Sequence, residues 1–267
     1  MAVEDFEDFG FPPVAALKTL KLDFDGPVGP SLPYMIPAQA LTVLSLTGHT
    51  DSLSLRQDSL HFPFLNTLEM IYFKNAREFV DAIVAPHLER FKYVSGEPGM
   101  LPTGTGSKFV NVRHIHLSYP ESLCGHPLAR YFNTDVICEA FPNVRHVELR
   151  ADDWSHLFHP GLHRPTERWT ELESLTFCGM HPHWLESDQF PAWLVERRAS
   201  GLRRLHVKFV YFFRDDCHDD AHFHSLYEVL KETCTLEVDF MPEQDRNADG
   251  FNSKLLHMLG SCYVHWR

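Results

Sequence analysis

Phe141-Pro142-Asn143-Val144-Arg145-His146-Val147-Glu148-Leu149-Arg150 is the stretch that decides the fold, because most of the chain reads as imperfect copies of it. Its apolar positions are Val144, Val147 and Leu149, spaced three and then two residues apart. Alternate side chains of an extended strand point to opposite faces, so Val147 and Leu149 turn inward together while His146, Glu148 and Arg150 face the other way. Each such rung therefore contributes two core side chains and three outward ones.

Working outward, the first apolar position recurs at Leu17, Leu41, Leu65, Leu88, Val112, Val144, Leu172 and Leu202. The early rungs read Leu17-Leu20-Leu22, Leu41-Leu44-Leu46, Leu65-Leu68-Met70, Leu88-Phe91-Tyr93 and Val112-Ile115-Leu117, at intervals of 23 or 24 residues. Later rungs, Val144-Val147-Leu149, Leu172-Leu175-Phe177 and Leu202-Leu205-Val207, follow at intervals of 32, 28 and 30, with a weaker ninth copy at Thr233-Leu236-Val238. Phe62-Pro63, Ala85-Pro86, Phe109-Val110 and Phe141-Pro142 lead into their strands. Proline at that point stops a preceding helix and favours extended backbone.

Between the strands, Ala76 to Val84, Leu128 to Ala140, Pro191 to Arg198 and Asp220 to Glu232 carry helical apolar stripes, such as Phe79, Val80 and Ile83. Strands that alternate with helices return by crossovers and pair in parallel. One repeat cannot bury its own apolar face, so neighbours must stack. The apolar spacing and its period are those of a leucine-rich repeat. The expected fold is α/β, a leucine-rich-repeat solenoid with parallel strands on its concave face and irregular repeats of about 23 to 32 residues. Residues 1–16 read as an N-terminal lead-in, 17–240 as the repeat domain and 241–267 as a capping segment, where Phe251, Leu255, Leu259 and Cys262 share one helical face.

Composition bounds the function. Of 267 residues 44% are hydrophobic and 13% aromatic, enough to build a core and to exclude a disordered chain. The net charge of -12 argues against a dedicated nucleic-acid binder, whose affinity comes largely from neutralising phosphates. Six cysteines, Cys124, Cys138, Cys178, Cys217, Cys234 and Cys262, form neither a C-x-x-C pair nor a compact framework, which fits reduced thiols. The acidic start, Met-Ala-Val-Glu-Asp-Phe-Glu-Asp, is unlike a signal peptide, and no window reaches the length of a membrane span. The expected setting is the cytoplasm or nucleus, away from membranes.

The Phe-Pro-x-Leu-x-x-Leu-x-Leu rungs, together with Leu-Lys-Thr-Leu-Lys-Leu (17 to 22) and Ala-Pro-His-Leu-Glu-Arg-Phe (85 to 91), resemble the repeat region of fungal F-box proteins over about Leu17 to Asp239. The resemblance implies a protein-protein interaction module that selects substrates for a cullin-type ubiquitin ligase. No F-box segment precedes Leu17, so a ligase adaptor is an expected partner only where an F-box is supplied elsewhere. The asparagine of regular repeats is also replaced, by Asp25, His49, Phe73, Gly96, Pro120, Asp152, Met180 and Val210.

The candidate binding residues are the outward basic and histidine positions of rungs four to eight. Arg90, Lys92, His114, His116, His146, Arg150, Arg204, His206 and Lys208 are expected on the concave face, where they suit an acidic or phosphorylated protein segment. A solvated strand face of no functional consequence would read the same way. The alternative class is a metal-binding protein or metal-dependent enzyme using the cluster from Asp215 to His224, whose Asp, Cys and His side chains are of zinc-ligand type. Acids there also cap a following helix. Histidines around Trp154 and Trp169 make no mechanistic spacing. Gly104-Thr105-Gly106-Ser107-Lys108 precedes a strand, whereas a phosphate-binding loop must follow one. No nucleophile elbow or other catalytic motif is present, so no enzyme activity and no cofactor are expected.

Overall fold

Every rung that is described forms a strand. A computed structural model of the chain describes residues 17–25, 36–49, 55–94, 108–118, 138–150, 158, 165–178, 189–212 and 221–240. The strands are β1 (Thr19–Asp25), β2 (Val43–His49), β3 (Leu60–His61), β4 (Thr67–Ile71), β5 (Ile83–Val84), β6 (Arg90–Val94), β7 (His114–Ser118), β8 (His146–Arg150), β9 (Ser174–Cys178), β10 (His206–Phe212) and β11 (Thr235–Phe240). Helices α1 (Ala76–Ala82), α2 (Gln189–Ala199) and α3 (Ala221–Thr233) intervene among the described residues, with a 3-10 turn at Pro165–Arg168. The lead-in, the capping segment and most of the expected helix ahead of Ala140 lie outside the described residues.

The architecture is α/β. Nine strands form one sheet in the order β1-β2-β4-β6-β7-β8-β9-β10-β11, and each pairs in parallel with its neighbours. A separate parallel pair joins β3 to β5. That pair corrects one expected helix: α1 ends at Ala82, and Ile83–Val84 is extended instead. Both residues are β-branched, and Pro86 lies shortly beyond, so the backbone gains more from a two-residue ladder than from another helical turn.

Register aligns the core into columns. Leu20, Leu44, Leu68, Phe91, Ile115, Val147 and Leu175 stand opposite one another, and Leu22, Leu46, Met70, Tyr93, Leu117, Leu149 and Phe177 form the second column. From β4 to β8 the strands alternate buried and half-buried residues, as a sheet covered on one side requires. Leu44, Leu68, Leu46 and Met70 are fully buried, while Leu20 and Leu22 on β1 pack only partly against the core. Phenylalanines bind successive rungs together: the rings of Phe91, Phe109 and Phe141 lie 4.9 to 5.9 Å apart. Each such buried ring contributes about 1.5–3 kcal/mol through apolar burial.

The eighth rung corrects the sequence register. Leu205 was expected opposite Leu175, but Val207 occupies that place, with Phe209 opposite Phe177 and Leu236 continuing the column on β11. Leu205, Val207 and Phe209 are all apolar at a period of two, so either register buries a hydrophobic pair and periodicity alone does not choose. Leu205 remains buried just ahead of β10, where its carbonyl accepts the Thr235 N–H.

Without an asparagine ladder, other side chains link the turns. Asn111 Nδ2 donates to the Pro86 carbonyl at 2.6 Å, Asn143 Nδ2 to that of Val110 at 2.9 Å, and buried Trp169 Nε1 to that of Phe141 at 3.1 Å. Arg197 is buried and donates to the carbonyls of Trp169 and Leu172 at 3.2 and 2.8 Å. The Trp169 and Arg197 bonds satisfy carbonyls away from water, where an unpaired backbone group is costly. Gly48 has φ +86°, and a Cβ there would stand 2.2 Å from the Phe24 carbonyl oxygen, so only glycine fits between β1 and β2.

Candidate functional site

The face of the sheet opposite the core carries the outward side chains in rows set by the same register. Arg90, His114, His146, Ser174 and His206 form one row, and Lys92, His116, Glu148, Thr176 and Lys208 the next. On β4 and β6 to β9 this face sinks into a depression of about 350 Å³. Arg90, Lys92, His114, His116 and His146 all line it, together with Glu69, Glu148 and Thr176.

Two groups divide this surface. At its centre Glu148 is a hub: His116 Nδ1 lies 3.1 Å from one carboxylate oxygen, and Arg150 Nε and Cys178 Sγ donate to the other at 3.2 and 3.4 Å. Burial opposes ionisation of Glu148, but the hydrogen bond and charge of His116, then Arg150 and the Cys178 thiol, outweigh it and hold the carboxyl down at about 2. Burial and the Glu148 charge push the Cys178 thiol up to about 12, so it stays protonated and donates. Charges this well matched within one cluster leave little net field for a partner.

The second group lies beside it. The His114 and His146 rings stack 4.3 Å apart at an interplanar angle of 18°. His146 Nδ1 lies 2.8 Å from Ser174 Oγ, and Glu173 approaches its Nε2 at 4.0 Å. Burial, followed by the charges of His146 and Arg90, pushes the His114 imidazole below its ordinary value, with Glu89 opposing. Arg90 is exposed and Lys92 half-buried. Neither has a hydrogen-bond or ion-pair partner among the described residues.

The expected site is thus narrowed from both ends. Lys208 is held by Glu237 at 2.5 Å and Asp239 at 3.0 Å, and these bonds raise its ammonium above the ordinary range. His206 Nε2 lies 3.3 Å from Glu237, and Arg150 serves Glu148. Arg204 does not belong to the face: it precedes β10, and its Nη2 donates to the carbonyls of Lys231 and Cys234 at 2.6 and 2.7 Å. The physical reason is the two-residue register shift, which moves Arg204 from a strand position into the turn where free carbonyls need a donor. Residue order did not show the roles of Glu148, Cys178 and Ser174 in this site. The signal was available in the i, i+2 spacing of Glu148 and Arg150, whose side chains share one face of β8.

Asp215 to Asp220 of the acid and histidine cluster lie outside the described residues, and the remainder opens α3. Among the described residues no group of three or more His, Cys, Asp or Glu side chains is placed to hold a metal ion, and no helix is long and apolar enough to cross a membrane. Lys108, the last residue of the Gly104-Thr105-Gly106-Ser107-Lys108 sequence, is engaged by Asp58 at 2.6 Å and by the Asp81 carbonyl. Comparison with protein-family models, curated proteins and solved structures gives no match for this chain.

Proposed function

We propose that the chain is a protein-interaction module: a leucine-rich-repeat solenoid, similar to the substrate-recognition part of a fungal F-box ubiquitin-ligase subunit, that docks an acidic or phosphorylated protein segment on the outer face of β6 to β9. The solenoid reading is supported by the two continuous core columns and by the parallel pairing of each rung with the next. The observation that carries the docking reading is the depression of about 350 Å³, in which Arg90 and Lys92, without an ion pair among the described residues, stand beside the stacked His114 and His146. On a chain of net charge -12, unpaired cations gathered in one concavity focus a local positive field that steers an acidic partner. Such a module acts in the cytoplasm or nucleus without a cofactor, and reaches a ligase adaptor only if an F-box is supplied elsewhere.

The test is a proximity-labelling comparison of the wild type with Arg90→Glu/Lys92→Glu. Arg90 is exposed, and Lys92→Glu sets a second acid across the ladder from Glu69 at a cost of about 1 kcal/mol or less, so the variant keeps the wild-type fold by circular dichroism and a cooperative thermal transition. A set of partners then disappears from the labelled proteins. Identical partner lists would remove the docking reading and leave this face a solvated surface.

A further inference from the structure

We infer that the depression seats the phosphoryl group of a phosphorylated protein segment between Arg90, Lys92 and the stacked imidazoles of His114 and His146, and that seating it draws a proton onto the His114 imidazole. The inference rests on the docking reading and narrows it to one partner chemistry.

The geometry is that of neighbouring strand positions. Arg90 and His114 are register partners on β6 and β7, as are His114 and His146 on β7 and β8. Adjacent strands lie about 4.8 Å apart and side chains two residues along a strand about 7 Å apart, so these four side chains fall around one small anion. Every neighbouring acid on the packed elements has a place in the account. Glu148 is occupied by His116, Arg150 and Cys178. Glu173, ahead of β9, is shared between Arg145 at 3.4 Å and His146 at 4.0 Å. Glu89 precedes Arg90, and Glu69 on β4 stands opposite Lys92 in register without an ion pair. Arg90 and Lys92 are therefore the cations of this patch that no acid of the described chain neutralises.

Arg90 and His146 flank His114, and with burial both oppose its protonation, so without an anion His114 does not readily take a proton. A bound anion reverses that balance. A phosphoryl group brings a charge of about -1.5 to -2 and three acceptor oxygens, which matches Arg90, Lys92 and the His114 ring better than the single charge of a carboxylate. The sign of the proton linkage follows: His114 is held below its ordinary value, a bound anion favours its charged form, and binding therefore strengthens as pH falls until, near about 6, the phosphoryl group itself takes a proton.

Degenerate peptide libraries with a fixed phosphoserine, glutamate or serine at the centre test this with the full chain. At about pH 6.5 the phosphoserine library is retained roughly tenfold more than the glutamate library, the difference expected of charge-assisted bonds to a dianion. For a peptide selected from it, Arg90→Gln weakens binding by about tenfold, as loss of one charge-assisted contact should. His114→Gln/His146→Gln flattens the pH dependence while its thermal unfolding stays that of the wild type. Equal retention of the glutamate and phosphoserine libraries overturns the phosphoryl seat and leaves the docking reading standing. Retention of no library also overturns it, and the docking reading is then judged by the labelled partner lists alone. A pH dependence unchanged in the double histidine variant refutes the proton linkage.

Discussion

Replacing Glu148 by Gln keeps the shape of the hub and one acceptor oxygen but removes the charge that His116, Arg150 and Cys178 surround. In the fold the carboxyl titrates at about 2 against an ordinary 4.5. At about 1.4 kcal/mol per pKa unit, that interval would correspond to roughly 3.4 kcal/mol of stabilisation by the ionised form. The Glu148 side chain is 36% exposed, so solvent screening cuts the figure to about 1.5 kcal/mol. The sign is fixed by linkage: a carboxyl depressed in the fold stabilises fully above the unfolded value of about 4.5 and loses that contribution as pH falls toward about 2. Urea unfolding of wild type and Glu148→Gln should therefore differ by about 1.5 kcal/mol at about pH 6, and by about half as much at about pH 3.5. Equal stability at the higher pH, or a difference that does not shrink in acid, would refute the hub.

Three further outcomes follow from the packing. Leu68→Asp puts an unpaired charge into a fully buried column between Leu44 and Phe91 and should cost at least several kcal/mol, a large part of an ordinary domain's margin, so the variant should fail to give a cooperative urea transition. Gly48→Ala meets both the positive φ and the Phe24 carbonyl, and its melting temperature should fall by an amount equivalent to about 2 kcal/mol or more. Cys178 and Cys234, with thiols raised to about 12 and about 11 chiefly by burial, should resist iodoacetamide at about pH 8 until denaturant is added. Mass spectrometry showing rapid labelling of either in the folded protein would contradict their placement.

Much of this was legible from residue order, because one requirement repeats along the chain. A strand covered on one side must alternate, and a rung that cannot bury itself must find its apolar faces matched on the next. That is why Leu44, Leu68, Phe91, Ile115 and Val147 could be expected in one column, and why α2 and α3 lie within a residue or two of the helices expected there. The same alternation assigned Arg90, Lys92, His114, His116 and His146 to one face.

Local pattern could not choose between two registers that were both apolar. Leu205, Val207 and Phe209 satisfy the same alternation, and only hydrogen bonding to β9 and β11 selects Val207 and so withdraws Arg204 from the face. Nor could it distinguish a free charge from a spent one, since ion pairing depends on which side chain stands across the ladder. Arg150 and Lys208 look like Arg90 and Lys92 in one dimension. The acid that holds Arg150, Glu148, stands two residues away on β8 itself, but Lys208 meets Glu237 and Asp239 only through tertiary register, and among the described residues no acid comes within ion-pair distance of Arg90 or Lys92, because Coulomb energy is set by distances across strands that sequence order does not contain.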